Sequence, residues 1–169
     1  MMNITALNQL NRPAFAKLLG GVFEHSPWVA EAAWAHGPFA SATHVHAKLC
    51  AVMQAAPRAR QLALLRAHPE LAGKAMVAKS LTADSTNEQT RSGLTQCSPE
   101  EFATLQRLNA AYNKKFGWPF ILAVKHLERA TIIATFTARL EATPTTEFAE
   151  CLANIEKITG WRLADLLRD

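Results

Sequence analysis

A chain of 169 residues, 49% hydrophobic and 19% charged, is long enough for one domain with a real core and too short for two comfortable ones. That composition excludes a disordered chain and fits an ordinary globular protein. The formal charge of +4 comes from scattered basic residues rather than a run, so neither nucleic acid nor an anionic membrane is called for, while a small anionic ligand would be favoured.

Cys50, Cys97 and Cys151 are far apart, odd in number and without Cys-x-x-Cys spacing, and are expected to be reduced thiols in a cytoplasmic protein. No basic flank precedes an apolar run at the N-terminus, and no stretch approaches the roughly 18 uninterrupted apolar residues of a membrane span. The final Leu166-Leu167-Arg168-Asp169 is not a peroxisomal tail.

In chain order, Asn11 reads as an N-cap with Pro13 in the first turn and Phe15, Leu18, Leu19, Val22 and Phe23 at helical spacing, Gly20-Gly21 weakening the end. Ser26-Pro27 reads as cap and first helical residue of a helix ending near Gly37-Pro38. Ser41 can cap a helix with Val45, Leu49, Val52 and Met53 inward, and Pro57 reopens one that stops at His68-Pro69. Residues 70–80 can be helical again, interrupted at Gly73. Ser85-Thr86-Asn87-Glu88 has capping-box spacing, and Ser98-Pro99-Glu100-Glu101 repeats it ahead of a long helix with Phe102, Leu105, Leu108, Asn109 and Tyr112 on one face. That helix ends at Phe116-Gly117-Trp118-Pro119-Phe120. Ile132, Ile133, Phe136 and Leu140 mark another helix, Thr143-Pro144-Thr145-Thr146 breaks it, and the last, with Phe148, Leu152, Ile155, Leu163 and Leu166, kinks at Gly160. Alternating strand patterns are missing. The expectation is an all-α, single-domain bundle of about seven to nine helices over residues 1–169, with an active-site cleft.

Chemistry centres on His68. Proline lacks an N–H and pushes the preceding residue out of helical geometry, so His68 sits at a helix end with its ring free to point into a cleft. A histidine there titrates near neutral pH and suits proton transfer, although the same position also suits a structural histidine facing the helix dipole. Glu88 is a possible partner, or simply a capping-box glutamate. Arg139, close to an apolar stripe, is either a snorkelling or ion-paired side chain or a fork for carboxylate and ureido oxygens. Phe116 to Ile121 is either a tight link or an irregular backbone able to read a planar heterocycle. His44-x-His46, the only close histidine pair, faces two sides of a helix, unlike the i, i+4 pair of a zinc helix, and no phosphate loop, nucleophile elbow or cofactor motif is present. No metal and no cofactor are expected. Trp28, Trp34 and Trp161 belong to the core or its rim.

Several motifs in consistent order resemble the 2-oxo-4-hydroxy-4-carboxy-5-ureidoimidazoline (OHCU) decarboxylase family. They are Ala67-His68-Pro69-Glu70-Leu71-Ala72-Gly73, Leu81-Thr82-x-x-Ser85-x-x-Glu88-Gln89, Leu108-Asn109-x-x-Tyr112 leading into Phe116-Gly117-Trp118-Pro119-Phe120-Ile121, Arg139-Leu140, and Ile158-x-x-x-Arg162-Leu163-x-Asp165-Leu166. The resemblance spans about Leu7 to Leu167. It implies an all-α, cofactor-free carboxy-lyase of urate degradation that converts OHCU to (S)-allantoin, with a homodimer as a plausible assembly. It places His68 and Glu88 on catalytic positions. Pro69, Ser85, Gln89, Arg139 and the backbone of Phe120 and Ile121 fall on substrate-binding ones. Two departures stand out: Arg139-Leu140-Glu141-Ala142 lacks the asparagine that family members often carry shortly after the arginine, and Trp118 stands where phenylalanine is commoner. A non-catalytic helical scaffold would instead keep His68, Glu88 and Arg139 in separate contacts. A hydrolase acting on the preceding hydroxyisourate would need a β-rich pattern that the sequence lacks.

Overall fold

The computed structural model describes residues 1–73 and 82–169. Among them are nine α-helices, two 3-10 turns and one pair of two-residue strands, an all-α architecture. The helices are α1 (Ile4–Asn8), α2 (Arg12–Leu19), α3 (Trp28–Ala33), α4 (Ala42–Ala55), α5 (Arg58–Ala67), α6 (Ala83–Arg91), α7 (Pro99–Phe116), α8 (Arg129–Arg139) and α9 (Pro144–Leu166). Two compact units are distinguished: residues 1–67 with 155–169, and residues 68–154.

In the first unit the cap signals act as the sequence suggests. The side chains of Asn11 and Ser41 accept the N–H of Ala14 and His44 at 3.0 Å each, and each residue has extended backbone geometry. Phe15, Leu19, Val29, Val45, Leu49, Met53, Leu64 and Leu65 are buried to within 1% and form the core. Val22 and Phe23 are buried too, but from the turn after α2. One expectation is corrected. Ser26 does not cap α3: its hydroxyl donates to the Glu24 carbonyl at 3.0 Å, and Pro27 takes the N-cap position without a side-chain bond. Gly160, where a kink is expected, lies within α9, which continues to Leu166. The glycine lets a ring approach, since a Cβ there would lie 3.4 Å from the His46 imidazole.

His46 and His44 part company as expected. His46 Nε2 donates to the Glu156 carbonyl at 2.9 Å, whereas His44 Nδ1 accepts the Ala40 N–H at 3.1 Å. Arg162 and Glu24 form a buried ion pair at 2.8 Å, and Met2–Asn3 pairs in parallel with Leu167–Arg168. Trp28 and Trp161 are half-buried and Trp34 is 40% exposed, its indole N–H donating to the Leu10 carbonyl, so all three line the rim.

In the second unit α7 is the longest complete helix and is firmly terminated. Ser98 and Glu101 form the expected reciprocal capping box, and Gly117 closes the helix at φ 79°, a left-handed geometry that glycine adopts without strain. Residues 70–73 form a turn rather than helix, and the rest of the helix expected over 70–80 lies outside the described residues. The start of α6 differs from the box expected at Ser85. Thr82, extended at φ −60° and ψ 158°, is the N-cap, its hydroxyl accepting the Ser85 N–H at 3.3 Å. Two cap candidates stand three residues apart, and starting at the earlier one adds most of a turn of backbone hydrogen bonds, with Asp84 favourably placed in the positive first turn. Glu88 therefore lies in the helix's second turn.

Candidate active site

Helix α5 stops at Ala67, one residue before His68, as the following proline demands. His68 is buried and Pro69 half-buried. The chain then turns through Leu71 and Ala72, both buried, with Ala72 at φ 50°, a conformation disfavoured for any residue carrying a Cβ.

Buried loop backbone needs partners, and here side-chain amides supply them. Gln89 of α6 accepts the Ala72 N–H at 2.9 Å and donates to the Glu70 carbonyl at 3.2 Å. From α7, Asn109 donates to the Leu71 carbonyl at 2.9 Å and Gln106 to the Ala72 carbonyl at 2.5 Å. Asn113, one turn further, donates to the Glu70 carboxylate at 2.5 Å. Glu70 thus faces a neighbouring helix.

Gln89 carries the loop to the helix that bears the other predicted residues. Ser85 and Gln89, four residues apart on α6, are both buried, and Glu88, half-buried, adjoins them at the i+3 position. The structure therefore gathers the His68 loop and α6 into one assembly. Both polar ends of the Gln89 amide are directed at the loop.

Arg139, in the last turn of α8, is the centre of a second assembly. Its Nε donates to both Glu147 carboxylate oxygens at 2.9 and 3.2 Å and its Nη2 to Oε1 at 2.5 Å. Its Nη1 donates to the Ile121 carbonyl at 2.7 Å, while the guanidinium lies 4.5 Å from the centre of the Phe120 ring. Phe120 in turn stacks on Phe136 with centroids 3.8 Å apart. The Tyr112 hydroxyl donates to Glu147, and Cys151 Sγ lies 3.3 Å from it.

The electrostatics follow from burial. Exposure of the Arg139 side chain is 11% and that of Glu147 is 1%. Desolvation pulls the Arg139 pKa down, but hydrogen bonds to Glu147 and its charge more than offset this, and the net shift is upward. Burial pushes Tyr112 upward, reinforced by Cys151 and Glu147, and burial likewise raises Cys151. The cluster pairs a buried guanidinium with Glu147 and keeps the phenol and thiol protonated. Helix α7 holds both assemblies, Asn109 and Asn113 reaching the His68 loop and Tyr112 reaching Glu147.

Among the described residues no group of three histidine, cysteine or acidic side chains could hold a metal ion. Sequence reasoning missed Glu147, which reads as an ordinary acidic residue in a helix's first turn, and it missed the roles of Gln106 and Asn113. The available signal was the i, i+3, i+7 spacing of Gln106, Asn109 and Asn113, a polar stripe beside the apolar face of α7.

A sequence model of OHCU decarboxylase matches residues 8–164. The chain is 36% identical over 166 residues to a mouse 2-oxo-4-hydroxy-4-carboxy-5-ureidoimidazoline decarboxylase, covering 98% of this chain and 93% of that protein. It is 38% identical to the uric acid degradation bifunctional protein PucL of Bacillus subtilis, covering the whole chain but 33% of that longer protein. The crystal structure of an (S)-allantoin synthase superposes with a TM-score of 0.78 at 27% identity, covering 98% of this chain and 54% of the other. An OHCU decarboxylase crystallised with (S)-allantoin shares the fold, with a TM-score of 0.68 at 21% identity over 82% of this chain and 89% of the other. With the family pattern running through both units of the structure, this chain belongs to the OHCU decarboxylase family.

Proposed function

We propose that this chain is a carboxy-lyase that converts OHCU to (S)-allantoin in urate degradation, without a cofactor, with His68 moving the proton that sets the stereocentre. The observation that carries the siting is the Gln89 amide, which ties α6, with Ser85 and Glu88, to the loop leaving His68.

The substrate's own structure supplies the electron sink. One ring carbon bears a carboxylate and a hydroxyl and adjoins a C=N bond. When the bond to the carboxylate breaks, CO2 leaves and its electron pair moves toward the imine, whose nitrogen takes a proton. The hydroxyl then loses its proton as C=O forms, and the neighbouring carbon gains one on a single face, giving the stereocentre. One proton is taken up overall. The protein must hold the carboxylate out of the ring plane, stabilise the enol-like intermediate and deliver the proton to one face.

In this reading His68 is the acid and base, Glu88 orients it or binds the hydroxyl, and Ser85 anchors one end of the substrate within a cleft. Pro69 sets the histidine's approach. Phe120 and Ile121 present backbone to the ring. Arg139 and Gln89 belong to the binding set, and their hydrogen bonds to the Ile121 and Glu70 carbonyls support a share in holding the walls. The whole of 1–169 acts as one OHCU decarboxylase-like domain, supported by a family match that runs through both units. Three unpaired cysteines favour the cytoplasm, and no described helix is long and apolar enough to cross a membrane. The ligand is the small-molecule substrate, with neither nucleic acid nor membrane as a partner, and the assembly is a homodimer.

The test follows allantoin formation by circular dichroism from freshly generated OHCU. His68→Asn is expected to lose about a hundredfold or more in rate, the worth of a positioned acid–base group, and to yield product without excess of one enantiomer. A full stereospecific rate in that variant refutes the role given to His68.

A further inference from the structure

We infer that Gln106, Asn109 and Asn113 of α7 are positioning residues that hold the backbone after His68 in its working geometry; this rests on the reading of His68 as the proton-transfer group. The loop from Glu70 to Ala72 has neither helix nor strand to satisfy it, and Leu71 and Ala72 are buried. The Glu70 carbonyl also accepts the Gly73 N–H at 3.4 Å, but the Leu71 and Ala72 carbonyls and the Ala72 N–H would lose the side-chain partners they have in the protein interior, at a substantial cost. The three α7 amides and Gln89 take the Glu70, Leu71 and Ala72 carbonyls, the Ala72 N–H and the Glu70 carboxylate. A non-glycine residue at φ 50° persists only where its surroundings over-determine it, and Ala72 is held at both its N–H and its carbonyl.

The donors stand on a helix fixed at both ends, by the Ser98–Glu101 box and by Gly117, which is the arrangement that holds a side chain to a fraction of an ångström. This face carries a desolvation cost beside the loop carbonyls it satisfies. Asn109 is 2% exposed and its Oδ1 has no hydrogen-bond partner among the described residues, so an apolar residue would carry less desolvation cost at that place. What leucine cannot do is donate to the Leu71 carbonyl.

The experiment is a double-mutant cycle on kcat and KM using Gln106→Met, which keeps length and removes the donor, in the wild-type and His68→Asn backgrounds. In the wild type, kcat is expected to fall about tenfold, the worth of one hydrogen bond, with KM changed less than twofold and the melting temperature lowered by about 2–4 °C, since the buried Ala72 carbonyl loses its partner. Gln106→Lys, which restores a donor, is expected to recover most of the rate. In the His68→Asn background Gln106→Met is expected to cost nothing further. The His68 imidazole C–H resonance, assigned by its absence in His68→Asn, is expected to broaden in Gln106→Met. Wild-type kcat in Gln106→Met, or the same tenfold loss in both backgrounds, overturns the inference while leaving His68 its role. A fully active His68→Asn overturns both.

Discussion

Glu147→Gln is the sharpest perturbation available in the second assembly, because it removes a charge while keeping the shape. In the wild type the carboxylate accepts from Arg139 Nε and Nη2 at 2.5 to 3.2 Å and from the Tyr112 hydroxyl, with only 1% of the Glu147 side chain exposed. An amide offers one oxygen in place of two and turns an NH2 toward groups that are themselves donors. Breaking one partner of a buried pair costs about 3–5 kcal/mol, because a charge stays buried without compensation. We expect the lower end, about 3 kcal/mol, since Arg139 keeps its bond to the Ile121 carbonyl and one amide oxygen. For a domain of this size, each kcal/mol corresponds to a shift of about 2–4 °C, so the melting temperature should fall by about 6–12 °C. Urea unfolding followed by far-ultraviolet circular dichroism measures the loss, and an unchanged denaturant slope identifies it as stability rather than altered compactness. Combining Glu147→Gln with Arg139→Gln should cost well under the sum of the two. A loss under about 1 kcal/mol with full additivity would refute the idea that Arg139 and Glu147 are energetically coupled.

Burial and the nearby Glu156 push the Cys50 thiol up to about 12 from 9.0, with a smaller opposing hydrogen bond from Thr159. Below pH 9 the thiol is protonated in both folded and unfolded chains and contributes nothing to the pH dependence. Between about 9 and 12 only the unfolded chain ionises, so stability should decline by about 1 kcal/mol per pH unit from this group, and Cys50→Ala should show a correspondingly shallower decline in unfolding measurements. Thr82→Ala should cost about 1 kcal/mol by loss of the α6 N-cap, whereas Ser85→Ala should leave that cap intact; equal losses of helix protection in hydrogen exchange would place the helix start wrongly.

Local signals were legible where one residue decides the outcome. Asn11, Ser41 and Ser98 cap the helices that follow them, Pro69 ends α5 before His68, and Gly117 closes α7. The signal failed where two local solutions competed. Thr82 and Ser85 are both competent caps, and Ser26 had its own upstream carbonyl within reach.

The sequence by itself determined the all-α class, most helix ends, the family and the residues at which chemistry was expected, because these rest on local backbone preference, hydrophobic period and ordered motifs. Only the tertiary structure decided what those residues touch. Arg139 read as a snorkelling or salt-bridged side chain or as a ligand fork, and it is Glu147 and the Ile121 carbonyl that engage it. Gln89 read as a ligand residue, and its amide binds the loop after His68. A polar side chain's partner depends on which long-range segments packing brings within about 3 Å, and neither propensity nor spacing along one helix carries that information.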